Sequence, residues 1–113
     1  MLRITDRQFD AVAVVPREAA IEEIAGRLNA RAQAERRAPI PVDQVRAWVN
    51  EAMHFGVDDS LDVSDLCTLF AEMHWAGGRP PFVAERLAEA GAEGRLKVFQ
   101  IRMEWQHGPA RSA

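Results

Sequence analysis

Few residues of this chain could carry chemistry. The soft metal ligands are His54, Cys67, His74 and His107. Cys67 and His74 stand seven positions apart. On a helix that is two turns, about 10 Å along the axis. One metal ion does not span that gap, whereas an i,i+4 pair would serve. A free cysteine commonly behaves as a small core hydrophobe, so Cys67 reads as a buried thiol. Ser60 and Ser64 fall near a predicted helix start, where capping and solvent exposure account for them. The sequence has no G-x-S-x-G, no P-loop and no G-x-G-x-x-G, so no nucleophile elbow or phosphate cradle is encoded. Asp58, Asp59, Asp62 and Asp65 lack the glycine turn and terminal glutamate of a calcium loop. The dipole of a helix N-terminus is reason enough for them. The expectation is a chain with no catalytic residues, metal or cofactor, and so not an enzyme.

Two further groups need weighing. Arg27, Arg31, Arg36 and Arg37 form a basic group, interleaved with Glu35 and without an aromatic stacker. It reads as a solvated helix end rather than a nucleic-acid footprint. The tryptophans are Trp48, Trp75 and Trp105. Trp48 fits a core stripe. Trp75 falls on the polar side of its helix, with Thr68, Ala71 and Glu72. Either it packs under the segment Pro80–Pro81–Phe82, or it anchors a surface patch with Arg79 and Phe82. Trp and Arg are enriched in binding hot spots, so Trp75, Arg79 and Phe82 are the candidate partner-binding residues.

These side chains must be positioned by helices. Residues 42–55 place Val45, Trp48, Val49, Ala52, Met53 and Phe55 at spacings of three and four, one apolar stripe. Pro41 precedes it, where a missing N–H is harmless. Gly56 supplies a left-handed stop and lets Val57 fold back. Asp59 reads as the next N-cap, with Asp62 as a capping-box partner. Residues 60–76 then carry Val63, Leu66, Cys67, Leu69, Phe70 and Met73 on one face, until Gly77, Gly78, Pro80 and Pro81 end the helix.

Upstream, Thr5 and Gln8 read as a capping box opening a short helix over Phe9, Val12 and Ala13. The run AVAVV competes as a strand. Pro16 interrupts, and a longer helix is predicted over 17–36 with Ile21, Ile24, Ala25 and Leu28 inward. Beyond Leu28 the stripe gives out, and that end is expected to project into water. APIPV, 38–42, is a stiff linker. Downstream, PPFVAERLAEAG reads as a short helix with Phe82, Val83, Leu87 and Ala90 inward. The segment 95–106 is ambiguous. Phe99, Ile101, Met103 and Trp105 alternate as in a strand, while Leu96, Phe99 and Met103 fit a helix. A lone strand would leave its backbone groups unpaired, which favours the helix.

Composition bounds the rest. With 113 residues, 48% of them hydrophobic, the chain forms one domain with a single modest core. The expectation is one all-α domain over 1–113, a small bundle of five or six short helices. A net charge of −3 disfavours nucleic acid as a partner. The helix–glycine turn–helix form invites a DNA-binding reading. However, Asp59, Asp62 and Asp65 lead the second helix, where phosphate contacts need cations. Thirteen of the fourteen basic residues are arginine, a bias of GC-rich bacterial genomes. The single cysteine excludes an internal disulfide and fits a reducing cytoplasm. No apolar run approaches the roughly 20 residues of a membrane span, and MLRITDRQFD is charged too evenly for a signal peptide.

The stretch FGVDDSLDVSDLCTLFAEMHWAGG resembles a pattern in small bacterial proteins encoded beside type VI secretion genes. In those an aromatic–Gly–aliphatic turn is followed five residues later by Asp–Val. Here the matching residues are Phe55, Gly56, Val57, Asp62 and Val63. The opening MLRITDRQFDA also looks like their common start, while APIPV departs from the pattern. The resemblance implies an accessory role: an adaptor or chaperone for an effector, or an immunity protein that neutralises a toxin. The implied partner is another protein.

Overall fold

The computed structural model describes residues 14–108. Five helices follow one another: α1 (Val14–Glu35), α2 (Val42–His54), α3 (Ser60–Trp75), α4 (Pro81–Ala88) and α5 (Gly94–His107). No strand occurs among the described residues, so the chain is all-α. The Thr5–Gln8 capping box and the short helix predicted over Phe9 lie outside the described residues.

α3 is the axis of the bundle. Val63, Leu66, Cys67, Leu69, Phe70, Ala71 and Met73 are all buried, on more than one side of the helix. A helix apolar around most of its circumference must be surrounded. α1, α2 and α5 pack against it. α1 contributes Ile21, Ile24, Ala25 and Leu28; α2 contributes Val45, Trp48, Val49 and Ala52; α4 and α5 add Val83, Leu87, Val98 and Ile101. Trp48 meets Phe70 with ring centroids 5.9 Å apart and planes tilted by 56°, an aromatic contact between α2 and α3 within the core.

The helix ends follow the sequence signals closely. Val57 N–H donates to Ala52 C=O at 2.8 Å, and Gly56 takes φ 86°. This Schellman closure buries Val57 completely. The carboxylate of Asp59 accepts from the N–H groups of Leu61 and Asp62 at 3.0 and 3.3 Å, an N-cap as the sequence predicts. Asp62 does not complete a capping box; its carboxylate faces Arg95 at 3.8 Å.

Three expectations are corrected. α1 begins at Val14, so Pro16 sits inside its first turn rather than before it. The first N–H groups of a helix have no intrahelical acceptor, and proline loses nothing there. The far end of α1 is exposed over residues 33–37 as expected, but the turn before it is tied to the bundle. Ala32 is buried, and Arg31 donates to Glu72 of α3 at 3.0 Å. Asn29 brackets the proline segment: its Oδ1 accepts from Ile40 N–H at 2.7 Å, and its Nδ2 donates to Ile40 C=O at 2.8 Å. The amide side chain thus satisfies the backbone of a buried residue that has no helix or strand of its own. Third, α4 stops at Ala88, and Ala90 is exposed rather than inward.

The segment 95–106 is helical, and its inward face is not the one its periodicity suggests. Lys97, Val98 and Ile101 are buried. Leu96, Phe99 and Met103 face outward, 45%, 52% and 39% exposed.

Candidate functional site

Trp75 and Arg79, which the sequence grouped with Phe82, make their polar and ring contacts with different residues. Trp75 turns toward the proline segment, and its Nε1–H donates to Ala38 C=O at 2.9 Å. The guanidinium carbons of Arg31 and Arg37 stand 5.5 and 5.4 Å from its ring centre, within cation–π range. Arg79 faces elsewhere. It donates two hydrogen bonds to the Glu51 carboxylate, at 2.7 and 2.6 Å, and lies 3.8 Å over the Phe70 ring. Phe82 is half-buried against the core. The polar and ring contacts of Trp75 and of Arg79 share no residue. Through that hydrogen bond Trp75 pins the 36–41 segment to α3.

A cleft of about 300 Å³ opens beside Trp75, lined by Arg31, Arg37, Glu72, Ala76 and Trp105. Its polar groups hold one another. Glu72 accepts from Trp105 Nε1–H at 2.9 Å and from Arg31 at 3.0 Å. Glu35 accepts from Arg37 and Arg31. Those two guanidiniums, Arg37 first, hold the Glu35 carboxyl below the usual carboxylate range. A carboxylate kept ionised by two arginines is a poor proton acceptor near neutral pH.

The other candidate groups have structural partners too. Ser64 Oγ and Thr68 Oγ accept from Arg27 at 2.7 and 3.0 Å. Asp65 pairs with Arg102 at 3.0 Å. His74 is exposed while Cys67 is fully buried, so the two do not share a ligand sphere. No group of three or more metal-ligating side chains occurs among the described residues. No described helix is long and apolar enough to cross a membrane.

Burial pushes the Cys67 thiol up to about 12; Arg27 pulls it down and Glu51 adds slightly to the rise. The sign of the consequence is set by linkage. The unfolded chain loses this proton first as pH rises, so the folded state is favoured less. Stability should fall above the free thiol's ordinary value of about 8.5, by on the order of 1.4 kcal/mol per pH unit. Urea unfolding between about pH 8.5 and about pH 10 should show that decline in the native protein. A Cys67→Ala variant should lack the thiol's share of it. Equal declines in the two proteins would mean that the folded thiol ionises freely.

Two features escaped the sequence reading. Lys97, the only lysine of the chain, is buried; its Nζ donates to Phe55 C=O at 2.9 Å and to Leu87 C=O at 2.7 Å. A solitary lysine in an arginine-rich chain was the available signal. The second is the outward row Leu96, Phe99 and Met103 on α5. These positions follow i, i+3 and i+7, one helix face. An open, shallow depression adjoins Leu96 and Phe99, bordered by Gly91, Glu93 and Arg95. Compared with known proteins, the chain matches no family model, no curated protein and no solved structure.

Proposed function

We propose that this chain is a protein-binding accessory protein of a bacterial secretion or effector module, an adaptor or chaperone acting in the cytoplasm. The observation that supports protein binding is the exposed row on α5. Single exposed apolar side chains are ordinary on a protein surface. Three in register on one helix face, beside a depression, make a contiguous patch of the kind that partners cover. The secretion setting rests on the resemblance carried by residues 55–78. The cytoplasmic setting rests on the single free cysteine.

A pull-down of the full chain with the products of adjacent genes tests this reading. Capture should survive Ala30→Glu, on an exposed face of α1, and be lost with Phe99→Glu. Trp75→Ala belongs in the same experiment. If it abolishes capture at unchanged melting temperature while Phe99→Glu does not, the contact surface is the end of α3 with Arg79 and Phe82, not α5. If no product is captured, the accessory role fails. A captured toxin whose activity is suppressed would replace the adaptor role by that of an immunity protein.

A further inference from the structure

We infer that the α5 row is the contact of a weak two-fold dimer, its occupant a second copy of this chain; this rests on reading that row as a contact surface. A two-fold interface sets one patch against itself, so the patch must complement its own shape. The row has that form. Phe99 stands at its centre, with Leu96 three positions before and Met103 four after. All three are exposed, Phe99 the most. The depression bordered by Gly91, Glu93, Arg95, Leu96 and Phe99 lies on the N-terminal side of Phe99. Met103 lies on the other side. A two-fold axis through Phe99, with the helices antiparallel, brings Phe99 onto its counterpart. It carries each Met103 level with residue 95 of the other copy, within about 1.5 Å of Leu96 along the axis. Each methionine then meets the opposing depression. An unbranched thioether with three rotatable bonds adapts to such a gap.

Charge permits this pairing without selecting it. Arg95 and Arg102 already face Asp62 and Asp65, at 3.8 and 3.0 Å, so the border of the row carries both signs. The same axis sets Arg95 within one position of Arg102 of the other copy, and so beside the half-exposed Asp65 paired with it. Arg95 is 77% exposed and can take that carboxylate as a further acceptor. Asp58 and Glu93 adjoin Asp62 and Arg95 and leave the border net acidic. That excess opposes self-association at low salt, and screening relieves it. Shape and apolar contact therefore carry the dimer. Area sets its strength. Three partly exposed side chains fall well short of the roughly 800 Å² per partner of a standard stable interface. The expected dissociation constant is on the order of 100 μM, weak enough for a partner protein to displace the second copy.

Sedimentation of the full chain from about 10 μM to about 1 mM brackets that constant. The apparent mass should rise from 12.6 kDa toward twice that value, and added salt should favour the dimer. Phe99→Ser and, separately, Met103→Ser should each weaken it by about tenfold or more. Leu61→Ser, at an exposed leucine of α3, should leave it unchanged. Circular dichroism checks that each variant is folded. An equimolar mixture of Arg95→Cys and Arg102→Cys should cross-link between the two variants faster than either does with itself; Cys67 is buried and does not compete. A monomer throughout the range overturns the inference. A dimer dissolved by Leu61→Ser and not by Phe99→Ser overturns the choice of face, and like-with-like cross-linking overturns the antiparallel axis. A dimer that salt dissolves is ionic, which overturns the apolar row as its cause. Phe99-dependent co-sedimentation of a monomeric chain with phosphatidylglycerol vesicles overturns the second copy in favour of a membrane surface. If the chain stays monomeric while capture of the adjacent-gene product depends on Phe99, the dimer fails and the protein-binding reading stands. If the dimer forms and capture does not depend on Phe99, the dimer stands and the row is not the partner's site.

Discussion

Lys97→Met should lower the stability of the fold by about 2–4 kcal/mol, because it strands a buried carbonyl and a part-buried one at once. Phe55 closes α2, and Leu87 lies in the last turn of α4. The final carbonyls of a helix have no intrahelical donor, and the helix C-terminus carries partial negative charge. One ammonium serves both ends, at 2.9 and 2.7 Å. Methionine keeps most of the aliphatic stem, so the loss reports the charged head. An opposing effect exists: methionine also removes the desolvation cost of a buried amine. Breaking such contacts from one side is nevertheless the expensive direction, since the acceptors stay wholly or partly buried. The melting temperature should fall by roughly 4–8 °C per kcal/mol for a domain of this size. An unchanged melting temperature would mean that desolvation cancels both hydrogen bonds.

Gly94→Ala should destabilise by a similar amount, about 2–4 kcal/mol, although alanine is the better helix former. A Cβ built at Gly94 lies 2.6 Å from Gly56 O and 2.9 Å from Val57 Cα. Both neighbours are backbone, held by the closure that buries Val57, and neither can swing away as a flexible side chain would. The start of α5 would have to retreat from the 55–57 turn. Lys97, one turn further along, would lose its reach to Phe55. At a position with free space the same change should stabilise by about 0.5–1 kcal/mol, so the sign of the effect is diagnostic. Chemical denaturation of Gly94→Ala, Lys97→Met and the double variant should show losses that are less than additive, because both residues secure the same turn. Additive losses would separate the two contacts.

Much of the fold is legible along the chain because its causes are local. The α2 stripe, the Gly56 stop with Val57 folded back, and the Asp59 cap each depend on residues within a turn or two. The same holds for the helical state of 94–107, where the absence of a pairing strand decides against extended structure. The candidate site was less legible. Trp75, Arg79 and Phe82 are near in sequence, yet the structure sends Trp75 to Ala38, after α1, and Arg79 to Glu51, within α2. Nothing within the segment 75–82 announces either acceptor.

By itself the sequence determined that this is an all-α chain and where most of its helices lie; that α3 is buried on more than one side only the structure shows. The tertiary structure alone decided which face of α5 turns inward. Leu96, Phe99 and Met103 share the helical period with Val98 and Ile101, and periodicity fixes a repeat without fixing which of two apolar sides is covered. Only the structure revealed the polar fastenings. Lys97 and Phe55 are 42 positions apart, Trp75 and Ala38 37, and Asn29 and Ile40 11. A hydrogen bond requires its partners within about 3 Å at a narrow angle. Helix packing sets that proximity, so these pairs follow from the assembled bundle rather than from any local pattern.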